Sequence, residues 1–316
     1  MRIISWRSAL GVACTAFLAG ASFVSAQEQP STRCGVGIPQ SESDGYVGLP
    51  HGDVFCPLLA DPKAIRSFAS YLRAKATLVN PTTARAFDTD VGAVGIADVI
   101  GLGRWNGARP NDGVQISLEA GVFAQFDLRA ESFDLLNADY VVGVPLTLRR
   151  GAFSARARIY HQSSHLGDEF LLRPDNPETG RENLSFESVE FIASLDMGAL
   201  RLYGGGERLL NRSPESLARM VGHGGAEWRP DVTLFSLGSI ATVRPIVLAD
   251  VKVADDRTSR PATSVMAGLD IARRRDSDAT GRRWMIVGHL YTGPSPYGQF
   301  YRDDIRYYGV GLSFNP

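Results

Sequence analysis

His161, Ser163 and His165 alternate along one stretch of chain, and Asn183, Ser185 and Glu187 alternate along the next. A serine hydroxyl is a weak nucleophile until a neighbouring imidazole takes its proton. A carboxylate holding that imidazole fixes which ring nitrogen is free to act. The set therefore has the parts of an ester-cleaving centre, with Ser163 as nucleophile, His161 as base and Glu187 as orienting carboxylate. The same residue types also suit a plain polar rim, with the histidines at headgroup level and Ser163 as a small filler. Between the two stretches, Asp168, Glu169 and Asp175 offer hard oxygen ligands suited to a divalent cation such as calcium, bridging lipopolysaccharide phosphates. Each reading depends on which way these side chains face.

The elements that position them are strands. In Phe153–His165 the apolar residues Phe153, Ala155, Ala157 and Ile159 alternate with Ser154, Arg156, Arg158 and Tyr160, the two-residue period of a strand with unlike faces. His161, Ser163 and His165 continue the apolar face. Residues 114–128 alternate for longer still, with Val114, Ile116, Leu118, Ala120 and Val122 on one side. Similar patterns cover 140–150, 184–195, 200–206, 240–253, 262–273, 284–292 and 307–314, with weaker ones at 67–76, 91–102 and 221–228. The total is about twelve strands, many near the length that a tilted membrane strand requires. Short Gly-containing turns at Arg150-Gly151 and Met197-Gly198 alternate with longer connections at 166–183, 207–220 and 293–305. That asymmetry, and the aromatic-ended last strand, predict an all-β, antiparallel up-and-down outer-membrane β-barrel over residues 67–316.

In such a barrel the apolar faces meet lipid and the polar faces line the lumen. Arg156 and Arg158 then face Ser188, Glu190, Ser194 and Asp196, so an ion-paired interior is expected rather than a wide pore. A hairpin centred near Asp175 would set Ser163 opposite Glu187 and His165 opposite Ser185, close enough for a Ser/His/carboxylate cluster. Gly204-Gly205-Gly206 lacks the setting of a nucleotide fingerprint and is expected to end a strand. His51, His223 and His289 lack paired metal-ligand spacing, and Tyr297–Tyr301 is expected to pack over the barrel mouth.

Composition and targeting set the frame. Arg2 and Arg7, an apolar stretch to Val24, and Val24-Ser25-Ala26 read as a signal peptide over residues 1–26, cleaved before Gln27. Residues 27–66 carry no strand period and read as a periplasmic N-terminal segment. It holds Cys34 and Cys56, the pair left after Cys14 goes with the leader; in an exported chain they predict one disulfide, worth about 3 kcal/mol. With 33 basic and 34 acidic residues and a pI near 6.5, the chain has no nucleic-acid footprint. No cofactor is implied beyond the calcium option. The expected location is the outer membrane of a Gram-negative-type envelope, and the expected partners are membrane lipids or lipopolysaccharide. A non-enzymatic structural barrel, narrow channel or cation-binding envelope protein is the alternative function.

The His-x-Ser on a lipid-facing strand resembles outer-membrane phospholipase A and lipid A 3-O-deacylase, barrels that cut acyl esters from neighbouring lipids. That resemblance covers this hairpin alone; it implies a third group about a dozen residues after the serine, which here is Asp175. Several segments together resemble an uncharacterised exported family, domain of unknown function 1207: Phe55–Pro62 (FCPLLADP), Phe123–Asp127 (FAQFD), Asn137–Tyr140 (NADY), Tyr160–Phe170 (YHQSSHLGDEF), Ser185–Glu187 (SFE) and Gly298–Tyr301 (GQFY). This second resemblance implies an exported, β-rich envelope protein and no particular activity.

Overall fold

A computed structural model describes residues 45–77, 86–109, 111–173, 183–273 and 283–315. The strands are β1 (Tyr46–Gly48), β2 (Ser67–Thr77), β3 (Ala86–Asn106), β4 (Gly113–Asp127), β5 (Leu135–Arg150), β6 (Phe153–Leu166) and β7 (Leu184–Met197). They continue with β8 (Leu200–Ser213), β9 (Met220–Trp228), β10 (Phe235–Leu237), β11 (Ala241–Ala254), β12 (Ala262–Arg273), β13 (Arg283–Pro294) and β14 (Asp304–Asn315). One short helix, α1 (Asp168–Leu171), follows β6.

Of these fourteen strands, β1 only pairs onto the end of β3 and β10 onto β11; the other twelve pair antiparallel with their neighbours. Pairing of β14 with β2 closes the barrel. Each of the twelve strands expected from alternation corresponds to one barrel strand. Gly151 and Gly198 stand at φ +60° in the two-residue turns β5–β6 and β7–β8, the left-handed conformation that such turns require. The glycine run at 204–206 does not end a strand as expected: it lies inside β8, which continues to Ser213 by pairing with β7.

The faces are inverted relative to a water-soluble protein. Along β5, Tyr140, Val142, Val144, Leu146 and Leu148 are exposed, while Asp139, Thr147 and Arg149 between them are buried. Such a surface is stable against hydrocarbon and costly against water. Inside, Arg156 Nη2 meets Glu190 Oε1 at 2.8 Å, and Arg158 bridges Glu119 and Glu190 at 2.8 Å each. With an even strand number the start of β2 and the end of β14 lie on one side, taken as periplasmic, and the β6–β7 and β13–β14 connections lie on the outer side.

The N-terminal segment departs from expectation. Residues 27–66 were to stand on the periplasmic side; the described part instead climbs through the lumen and returns to β2. Val54, Phe55, Cys56, Leu58, Leu59 and Ala60 are all buried there. An irregular segment lacks ladder partners for its backbone, and buried carbonyls must find donors. Wall arginines supply them: Arg149 Nε donates to Val54 O at 2.7 Å, and Arg201 donates to Cys56 O and Pro57 O at 2.9 Å each. Arg156 and Arg201 also hold the Phe55 ring between them, each 5.1 Å from its centroid. Higher up, Lys252 Nζ pairs with Asp61 at 2.9 Å, and Lys63 pairs with Asp139. Cys34, the expected partner of Cys56, lies outside the described residues, as does the expected signal peptide.

Candidate functional site

The odd residues of β6 face outward, so His161, Ser163 and His165 sit on the lipid-facing surface near the outer end. The pairing differs from the symmetric hairpin by one step. His161 stands opposite Glu187, and Ser163 stands opposite Ser185. Helix α1 opens the connection after β6, and Asp175, the expected centre of the hairpin, lies outside the described residues. His165 no longer meets Ser185; its ring packs edge-on against Tyr140 with centroids 5.8 Å apart.

The new register brings base and carboxylate together. His161 Nδ1 lies 3.0 Å from Glu187 Oε1, with both side chains about two-fifths exposed. A carboxylate only accepts, so the proton belongs on Nδ1 and Nε2 keeps its lone pair. Asn211 on β8 also hydrogen-bonds the Glu187 carboxylate, a contact hidden from sequence reasoning because it depends on the β7–β8 register shift between Ser185 and Glu187. Ser163 shares the face of His161, about 6.6 Å along the strand, flanked laterally by Tyr140 and Ser185. Toward the membrane centre the surface turns apolar through Ile159, Val142, Val144, Val189 and Phe191, all exposed.

The even residues of the same strand build a different cluster. Ser164 Oγ donates to Asp139 and the Asn137 amide donates to Asp139 Oδ1 at 2.9 Å. Lys63 and the Gly298 backbone N–H, 3.1 Å away, complete the shell of that carboxylate. Gln299 Nε2 donates to Ser164 O at 2.7 Å. A side chain at 298 would bring its Cβ to 2.7 Å from the Ser164 side chain, so the loop docks this closely only as glycine. This cluster was missed in the sequence, although parity along β6 assigns Ser164 to the lumen.

Other expectations resolve simply. Asp168 and Glu169 are exposed in the first turn of α1, and among the described residues no three His, Cys, Asp or Glu side chains are grouped to hold a metal ion. His223 Nε2 pairs with Asp250 at 2.7 Å and His289 Nε2 with Ser264 Oγ at 2.9 Å, both in the lumen. Tyr297 is buried and Phe300 packs edge-on against Phe170, so the aromatic loop does close over the barrel mouth.

Three segments that are distant in sequence, NADY, YHQSSHLGDEF and GQFY, thus meet around Asp139. They fall within the family described as protein of unknown function (DUF1207), whose sequence profile matches residues 27–315. The chain belongs to this family. Among curated proteins none matches it. Solved structures similar to this DUF1207 chain are outer-membrane barrels. A calcium-bound dimer of outer membrane phospholipase from Salmonella typhi is 13% identical, with TM-score 0.50, over 81% of this chain and 93% of that one. Outer membrane phospholipase A from Escherichia coli is 11% identical, with TM-score 0.48 and the same two coverages. The β domain of the Bordetella autotransporter BrkA is 12% identical, with TM-score 0.39, over 79% of this chain and 98% of that one. The likeness is one of fold: an outer-membrane-type β-barrel, which supports an outer-membrane location.

Proposed function

We propose that this DUF1207 barrel cleaves acyl esters of lipids lying against its outer face. The observation that carries the reading is the His161–Glu187 contact on the lipid-facing surface, one strand position below Ser163 on the same face. A carboxylate and an imidazole seldom face hydrocarbon without a task. In the proposed step Ser163 Oγ attacks the ester carbonyl carbon while its proton passes to His161 Nε2. The C–O bond to the alcohol breaks, and the departing oxygen takes that proton. Water, deprotonated by the same nitrogen, then attacks the acyl carbon; the bond to the serine oxygen breaks and that oxygen takes the proton back from Nε2. Glu187 holds the ring and balances the imidazolium. The apolar track through Ile159, Val189 and Phe191 suits an acyl chain lying along the barrel wall.

The Salmonella typhi neighbour is by name a phospholipase, and its structure is a calcium-bound dimer; at that identity the reading here rests on this chain's own residues. Calcium, bound near Asp168 and Glu169, and self-association are carried as arms of the same test. Purified protein is incubated with ester phospholipid in mixed micelles, with calcium or with chelator, and products are read by mass spectrometry. Free fatty acid and lysolipid from wild type, absent with Ser163→Ala, are expected; equal product from both ends the proposal.

A second reading is a structural barrel without catalysis, favoured by one observation: Val54, Phe55, Cys56, Leu58, Leu59 and Ala60 are buried in the lumen against the arginines of its wall. It predicts lipid profiles that are identical between wild type and Ser163→Ala.

A further inference from the structure

On the far side of the barrel from His161, β12, β13, β14 and β2 carry a hollow of about 280 Å³ on their outer face. Its residues fall into level rows by strand pairing. The upper row is Thr263, Thr292, Arg306 and Lys75; the row below is Val265, Leu290, Tyr308 and Arg73. The next row down is Ala267, Gly288, Val310 and Tyr71, whose two small residues leave the wall thin beneath Val265 and Leu290. Leu290, Tyr308 and Val310 are each about three-fifths exposed. Polar donors thus stand over apolar surface at the outer end, as a headgroup stands over its acyl chains.

The charge is one-sided. Three cations and no carboxylate line the hollow. Lys75 and Arg73 both pair with Asp88 from the β3 side, and Arg73 pairs with Asp90 as well at 3.0 Å, yet the Lys75 side chain stays 71% exposed. Arg306 is exposed, and among the described residues no carboxylate lies within ion-pairing distance of it, Asp304 being paired with Arg260. Arg306 and Lys75 are direct cross-strand partners, so their stems are about 5 Å apart and one anionic group can meet both. From Thr263 to Lys75 the donor row spans three strand spacings, about 14 Å, wider than a single phosphodiester covers.

We propose that this face is a docking site for a phosphate-bearing glycolipid of the outer leaflet, its phosphate on Arg306 and Lys75, its sugar on Thr263 and Thr292, and an acyl chain in the hollow over Val265 and Leu290. The site needs no Ser163 chemistry and stands or falls separately from it.

Native mass spectrometry of the detergent-purified full chain tests this with three added probes: bis-phosphorylated lipid A, the same lipid dephosphorylated, and phosphatidylglycerol. One retained copy of the phosphorylated glycolipid is expected, weakened roughly thirty-fold in Arg306→Gln/Lys75→Gln. Val265→Trp, which fills the hollow and keeps every charge, should lose it as well, while Arg208→Gln on distant β8 and Ser163→Ala should retain it. Equal retention of dephosphorylated lipid A or phosphatidylglycerol overturns the proposal, and so does a loss on Arg208→Gln matching that of the double variant.

Discussion

Strand β6 carries one serine on each of its faces, with a carboxylate from a neighbouring strand on each side, Asp139 of β5 toward the lumen and Glu187 of β7 toward the lipid, and the two sides have opposite character. On the lumen side, Ser164 gives its proton to Asp139, and that carboxylate also accepts from Asn137, Lys63 and Gly298. Every oxygen lone pair there is occupied, and Asp139 is fully buried. On the lipid side, Glu187 orients His161 and both remain partly open. A saturated carboxylate locks loops together; a half-open pair with a free ring nitrogen is able to move a proton. Adjacent residues, Ser163 and Ser164, therefore stand in unlike surroundings through strand parity alone.

This contrast is easiest to break with serine. Ser163→Ala should lower acyl-ester turnover by about 10⁴-fold and leave the urea midpoint unchanged, measured by fatty-acid release and by unfolding in micelles. Glu187→Gln keeps the shape and removes the charge. Its expected cost is on the order of 10³-fold in turnover, with little change in stability because the pair is exposed. Asp139→Ala should do the reverse: about 3–5 kcal/mol of stability lost through the uncompensated Lys63, with turnover per folded molecule retained. Ser164→Ala is milder, about 1–3 kcal/mol, again without effect on turnover. If Ser164→Ala silenced hydrolysis while Ser163→Ala did not, the assignment of the two faces would have to be exchanged.

The smallest expected effect is in acid. Hydrogen bonds from Ser132 and then Arg173 hold the Asp134 carboxyl below its ordinary value of 3.8. A depressed folded-state value means that this tie contributes fully above about pH 4 and is lost as pH falls through the lower folded value. Hydrogen exchange in residues 128–134 should rise only in that acid window, and removing both donors in Ser132→Ala/Arg173→Gln should abolish the pH dependence.

Much of this was legible beforehand, for physical reasons. A lipid-facing wall forces alternation along every strand, so the twelve strands and the facing of His161, Ser163, Arg156 and Arg158 could be read directly. The partner of Ser163 could not. Parity permits slips of two residues without exposing a wrong face, and the β6–β7 pairing differs from the expected one by one such slip. The lumen segment was also hidden, since Phe55–Ala60 shows no period when its partners are arginines on distant strands. Its one signal was the apolar run FCPLLA in a stretch otherwise rich in Ser, Gly and Pro. Asn211 likewise reaches Glu187 only through a bulge in the β7–β8 ladder.

The filled interior has a further consequence for assembly. Val54 through Ala60 are enclosed on all sides, and the β14–β2 seam is the last that the chain can zip. The stuffing must therefore be seated before the cylinder shuts, making the N-terminal stretch a mandrel around which the wall is wound.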